Sequence, residues 1–118
     1  MYIEEIGEFV RGKDFWECKP AVLEGEAIQI FSPEVSEHQA NIARWICGHW
    51  QTILKQCREF VEIERATYEL QAKELNRPSV FIGEGDDWSV YFSTEHEVDT
   101  TVGVDFEREI PVALTIGD

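Results

Sequence analysis

The stretch VFIGEGDDWSVYF, residues 80–92, decides the fold class of this chain. A short apolar run leads into a turn of glycines and carboxylates, and Trp88, Val90 and Phe92 then alternate with less apolar residues. Alternation with a period of two is typical of a strand that buries one face. The stretch therefore predicts two antiparallel strands joined by a hairpin turn whose acidic side chains lie in solvent.

The same alternation returns twice before the end of the chain, in residues 102–106 and 110–116. Together with the first two strands it predicts an antiparallel meander with one apolar and one polar face. Pro111 has no N–H to donate to a neighbouring strand, so the last strand is predicted to be an edge strand. The polar face is expected to carry four side chains: Tyr91, Asp105, Glu107 and Thr115.

A helical segment precedes the meander. Ser36 and Gln39 have the spacing of a capping box, and apolar residues then recur at helical intervals up to residue 61. Gly48 interrupts this pattern, so the segment is either one long helix or two helices. Pro78 ends it, which places the helical segment at residues 36–76.

The N-terminal part is predicted to add strands to the same sheet. Residues 21–31 place apolar runs on either side of a Glu-Gly-Glu turn, which is typical of a hairpin, and residues 15–18 predict an earlier strand. The first ten residues fit a short helix or a strand. The prediction is a single α+β domain over residues 1–118, with the helical segment packed across a mainly antiparallel sheet that has strands from both sides of it in sequence.

Charge is distributed unevenly along the 118 residues. The net charge is −14, and residues 78–118 contain ten acidic residues and one basic residue. Nucleic acids are bound by clustered Lys and Arg, so this composition argues against a nucleic-acid ligand. A basic protein is the expected partner.

The sequence has no feature of an exported or membrane protein. The N-terminus, MYIEEIGEFV, is acidic where a signal peptide is basic, and no segment approaches the about 20 apolar residues of a membrane span. Three cysteines without a CxxC pair indicate neither a disulfide framework nor a zinc site. We expect a cytoplasmic protein.

The acidic turn, residues 83–87, is either a ligand loop or a plain turn. GEGDDW lacks both the GK[ST] sequence of a phosphate loop and the ligand order of an EF-hand. A calcium site completed by Glu97 or Asp99 is the alternative to a plain turn, but only some of the six or more oxygens that calcium needs are in view. The plain turn is the favoured interpretation.

The histidines and cysteines give no catalytic signature. His49 and Cys57 lie two helical turns apart on the apolar stripe and are expected to face the core, where thiols are inert. Glu34 and His38 have a chelating interval, but a solvated helix start explains them more simply. We therefore expect no metal, no cofactor and no enzymatic activity.

The acidic C-terminal third is the predicted binding surface. Carboxylates there would attract a basic partner, and an aromatic side chain would anchor it. The predicted partner-binding residues are the carboxylates Asp86, Asp87, Asp105 and Glu107, with Trp88 or Tyr91 as the anchor.

The chain resembles the immunity proteins of bacterial polymorphic and contact-dependent toxin systems in its general layout. The resemblance is strongest in WSVYF (residues 88–92) and VGVDFEREIPVALTIGD (residues 102–118). The resemblance implies a protein that binds a cognate toxin domain and blocks its active site or a surface near it. That class has no common binding motif, so it assigns no residues here. The alternatives are an interaction or structural module with another partner and, third, a small enzyme.

Overall fold

The computed structural model describes residues 1–117, and Asp118, the last residue of the predicted domain, lies outside them. Within this range two α-helices, α1 (Glu37–Gly48) and α2 (Trp50–Glu64), pack on a seven-stranded sheet. The predicted α+β class is confirmed. Neither helix of the described chain is long and apolar enough to cross a membrane.

The strands occupy the sheet in the order in which they occur in the chain. They are β3 (Val10–Arg11), β4 (Trp16–Cys18), β5 (Ile28–Ile30), β6 (Asn76–Ile82), β7 (Asp87–Ser93), β8 (Thr101–Glu107) and β9 (Ile110–Gly117). All neighbours are antiparallel except β5 and β6, which are parallel because the two helices connect them. Two further strands, β1 (Tyr2–Ile3) and β2 (Gly7–Glu8), form a separate ribbon.

The predicted capping box starts α1. Ser36 Oγ accepts a hydrogen bond from the Gln39 N–H, and Gln39 Oε1 accepts one from the Ser36 N–H, both at 3.0 Å. The Gln39 amide also donates to the Gly83 carbonyl, which fixes α1 to the β6–β7 turn. At His49 the backbone leaves the helical region (φ −125°), so the segment is two helices.

The core lies between the helices and one face of the sheet. Its sheet side is formed by alternate residues of β5 to β9, and its helix side by the apolar stripe of α1 and α2. The largest fully buried side chains include Ile28, Ile30, Ile46, Ile53, Ile82, Phe92 and Phe106. Burial of such side chains contributes roughly 1.5–3 kcal/mol each.

Three predictions of local structure are wrong. Residues Ala21–Leu23 form a single turn of 3-10 helix instead of a strand, with Leu23 buried and Glu24 in the left-handed region (φ 51°). Helix α2 ends at Glu64, not residue 76. His49 does not face the core: it is exposed and stacks on Trp45, with ring centroids 4.7 Å apart.

An irregular segment, residues 65–75, replaces the end of the predicted helix. The buried carboxylate of Asp99 accepts hydrogen bonds from the Gln71 and Ala72 N–H groups, at 2.6 and 3.4 Å. Glu95 accepts from the next two N–H groups, those of Lys73 and Glu74. The segment is therefore held by the β7–β8 connection.

The last strand is an edge strand, as predicted from Pro111. Its free side is partly covered, since the Tyr68 hydroxyl accepts a hydrogen bond from the Leu114 N–H at 3.2 Å. An edge protected in this way is less open to pairing with another chain.

Candidate functional site

Four of the six predicted partner-binding residues lie together on the face of the sheet opposite the helices. Asp87 pairs with Glu107 across β7 and β8, and Asp105 pairs with Ser89. Tyr91 follows Ser89 by two residues, and side chains two residues apart on a strand share a face. We call this surface, which displays Asp87, Tyr91, Asp105 and Glu107, the outer face.

Asp105 is a fixed carboxylate at the centre of the outer face. One of its oxygens accepts a hydrogen bond from Ser89 Oγ at 2.7 Å, and the other accepts one from Thr115 Oγ1 at 2.8 Å. The residue is partly buried, and these two hydrogen bonds hold its carboxylate in place. Asp87 and Glu107 are exposed. The outer face thus combines one carboxylate held by hydrogen bonds with two exposed ones.

Trp88 lies on the core side of β7 and not on the outer face. Only 3% of it is exposed, and its Nε1 donates to the Arg108 carbonyl at 2.6 Å. Of the two residues predicted as the anchor, only Tyr91 therefore lies on the outer face, because alternation along the strand turns Trp88 toward the helices.

Asp86 precedes β7 and contacts His38 and Arg108 instead of extending the outer face. One oxygen lies 2.7 Å from His38 Nε2, and the other lies 3.5 Å from Arg108 Nε. All three side chains are substantially exposed, so the group is a surface ion cluster that joins α1 to the β8–β9 turn. Its neighbours partly offset the charge that Asp86 would present to a partner.

A row of aromatic rings crosses the outer face, and the sequence reasoning did not find it. Phe15 lies 5.5 Å from Phe31, Phe31 lies 5.6 Å from Phe81, and Phe81 lies 4.8 Å from Tyr91, measured between ring centroids. We call these four residues the aromatic row. All are at least partly exposed, and Phe31 is exposed at 38%.

The alternation of side chains along a strand could have predicted that residues of the aromatic row face away from the core. Phe81 lies between Val80 and Ile82, which are both fully buried, so the middle residue of this apolar triplet must face the other way. Phe31 likewise follows the buried Ile30. Uniformly apolar runs hide this alternation, because every residue in them is apolar.

A cleft of about 430 Å³ lies beside α1, on the other side of the turn that carries Asp86. Ile42, Trp45 and Trp88 form its apolar wall, and the ion cluster of Asp86 forms part of its rim. His38 is the only histidine among its lining residues, and no Ser, Thr or Cys side chain lies beside it there. Among the residues that line the cleft, His38 and Asp86 therefore have no hydroxyl or thiol nucleophile beside them to activate.

The pair of His49 and Cys57, considered as a nucleophile and its base, does not form. Cys57 is fully buried, and this burial raises the pKa of its thiol to about 12. His49 lies exposed, with its Nδ1 2.8 Å from the Trp45 carbonyl oxygen. A buried thiol with so high a pKa is not a nucleophile near neutral pH.

No metal-binding group of three or more His, Cys, Asp or Glu side chains occurs within residues 1–117. Asp99, the residue considered as a ligand to complete a calcium site, has its carboxylate engaged by backbone N–H groups. His38, considered with Glu34, is paired with Asp86.

Comparisons of the chain with protein-family models, with curated proteins and with solved structures find no match.

Proposed function

We propose that this protein binds a basic protein partner on its outer face and, as the resemblance to immunity proteins suggests, neutralises a toxin domain. The observation that supports this most is the presence of both carboxylates and an aromatic row on a sheet face that neither described helix covers. Such a face offers both long-range attraction and apolar contact area.

Charge supports a basic partner. The net charge is −14, and the strands that form the acidic part of the outer face belong to the most acidic third of the chain. A field of one sign raises the rate at which an oppositely charged protein associates, and this effect weakens as salt increases. Toxins that cleave nucleic acids are basic over their substrate cleft, so a carboxylate surface would compete with phosphate there.

The competing explanation is that the acidic strands only keep the protein soluble. Charged side chains on exposed strands do reduce aggregation. Solubility does not, however, require four aromatic rings in contact on the same face, and exposed aromatic area would oppose it. The aromatic row therefore favours a binding surface.

The test uses the toxin-like open reading frame expected directly upstream of this gene. Its C-terminal domain is expressed in cells with and without the present protein, and growth is measured. We expect growth to be rescued, and the purified pair to form a complex whose association rate falls as salt increases.

Two charge reversals locate the surface. Glu107→Lys on the outer face should slow association, whereas Glu59→Lys on α2 makes the same change on the helix side and should have a much smaller effect. The proposal is wrong if no basic protein is bound, or if both reversals change the rate equally.

A further inference from the structure

The aromatic row ends at a ring that is pressed onto the sheet. The Tyr91 ring lies over Gly103 so closely that a Cβ at Gly103 would be 2.6 Å from Tyr91 Cε1. Phe81 packs beside it with ring planes inclined by 32°. Gly103 is buried and Tyr91 is partly exposed, so solvent reaches the ring at parts that do not lie against Gly103.

A positioned carboxylate lies next to this ring. Asp105 is two residues from Gly103 along β8, a spacing of about 7 Å, and it faces the same side. The Ser89 and Thr115 hydroxyls each occupy one acceptor position on its oxygens. A carboxylate has about four such positions, so both oxygens can still accept from a further donor.

This combination matches a guanidinium better than an ammonium. Arginine has a planar group that stacks on an aromatic face, donates two parallel hydrogen bonds to a carboxylate and is more weakly hydrated than lysine. The chain itself contains one such stack, since the Arg11 guanidinium carbon lies 5.4 Å from the centre of the Trp16 ring. Lysine would gain mainly from the net charge.

We infer that the outer face recognises arginine side chains of its basic partner, stacked on Phe81 and Tyr91 and paired with Asp105. The inference rests on the proposed function, because it names the chemical group by which the same surface would select its partner. It commits to an arginine-bearing segment of a protein, since nucleic acid would be repelled by the charge of −14.

Two peptides of equal length and charge, octa-arginine and octa-lysine, are the probes. Each is titrated into the ¹⁵N-labelled protein while backbone amide shifts are followed. We expect both to perturb β7 and β8, with octa-arginine binding about fivefold more tightly, the factor given by a stacking contribution of about 1 kcal/mol. The Tyr91→Leu variant should lose most of this preference, because it keeps an apolar side chain at position 91 but removes one of the two aromatic faces.

Two control variants and one further variant test whether the preference depends on the aromatic row. Tyr91→Phe should retain the preference for arginine, and Tyr2→Ala, which removes an exposed ring from the separate ribbon, should leave it unchanged. Phe81→Leu provides a second measurement if Tyr91→Leu does not fold. Equal affinity of the two peptides for the unaltered protein, or a preference that survives both leucine variants, overturns the inference. Absence of any perturbation on β7 and β8 overturns the proposed function as well.

Discussion

The indole of Trp88 lies nearly parallel to the ring of Phe106, with centroids 4.0 Å apart and 11° between the ring planes. The two residues are direct neighbours across β7 and β8, and both are almost completely buried. Trp45 of α1 meets the edge of the same indole at 6.1 Å. This stack therefore links the helices to the strands whose opposite side forms the outer face.

Replacing Phe106 with Ala should destabilise the protein by about 3–5 kcal/mol, because it removes a buried ring and leaves a cavity beside Trp88. Urea unfolding followed by tryptophan fluorescence measures the change. Ile110→Ala, at a position that is 65% exposed in the neighbouring hairpin, should change stability by less than about 0.5 kcal/mol. Equal effects of the two substitutions would contradict the assignment of Phe106 to the core.

Replacing Gly103 with Ala should push the Tyr91 ring off the sheet, since the new Cβ would lie 2.6–2.9 Å from three ring atoms. We expect a loss of about 1–3 kcal/mol, as for overpacked sites, and a change in the Tyr91 ring resonances. The matched control is Gly48→Ala, where no heavy atom other than those of the adjoining residues and the helix's own backbone lies within 4 Å of the added group. In the last turn of α1 this control should be neutral or stabilise by up to about 1 kcal/mol.

Two of the three outer-face carboxylates, Glu107 and Asp105, should respond differently to charge reversal. Glu107→Lys should lower the association rate with a basic partner and leave the melting temperature nearly unchanged, because Glu107 is exposed. Asp105→Lys should lower the association rate and also the free energy of unfolding, by about 1 kcal/mol, because the Ser89 and Thr115 hydroxyls lose their acceptor. Calorimetry and surface plasmon resonance separate these effects. Identical melting temperatures for the two variants would show that the Asp105 hydrogen bonds contribute nothing.

The contacts of Glu95 should weaken at acid pH. Hydrogen bonds from the Glu74 and Lys73 N–H groups hold the pKa of the Glu95 carboxyl below its ordinary value of 4.5. A carboxyl whose pKa is lower in the folded state stabilises that state above its unfolded pKa, and the contribution is lost as the pH falls through the folded pKa. The amide resonances of Lys73 and Glu74 should therefore titrate together with a midpoint below 4.5. Glu95→Gln should abolish this titration, and its persistence in that variant would assign it to another group.

Removal of metal ions should not alter stability. Thermal melts recorded with and without EDTA are expected to superimpose, since Asp99 is already engaged by backbone N–H groups and Asp86 by His38 and Arg108. A fall of several degrees in EDTA would instead point to a bound cation at the turn of residues 83–87.

Local patterns predicted the parts of the fold that depend on neighbouring residues. The capping box of Ser36 and Gln39 is an interaction within three residues, and the alternation of residues 88–92 and 102–106 is a pattern within each strand. Both can therefore be recognised from a short stretch of sequence. Pro111 marked the edge strand for the same reason.

Longer-range packing decided the rest. Helix α2 ends at Glu64, and further along the chain the Gln71 and Ala72 N–H groups donate to Asp99, which belongs to a distant connection. Alternation within the segment places Trp88 on the buried face, but its packing against Phe106 and Trp45 depends on two other elements. The aromatic row assembles from four segments, so only the paired sheet brings its rings together.

The parallel pairing of β5 with β6 has a consequence for the order of folding. Ile28 meets Val80 only after the chain has closed a loop of about fifty residues, whereas the hairpins of β6 to β9 close over short turns. The C-terminal hairpins should thus form early, and β3, β4 and β5 should dock last, once both helices lie on the sheet. Phe15 and Phe31 flank these late strands, so the aromatic row is completed only in the final folding step.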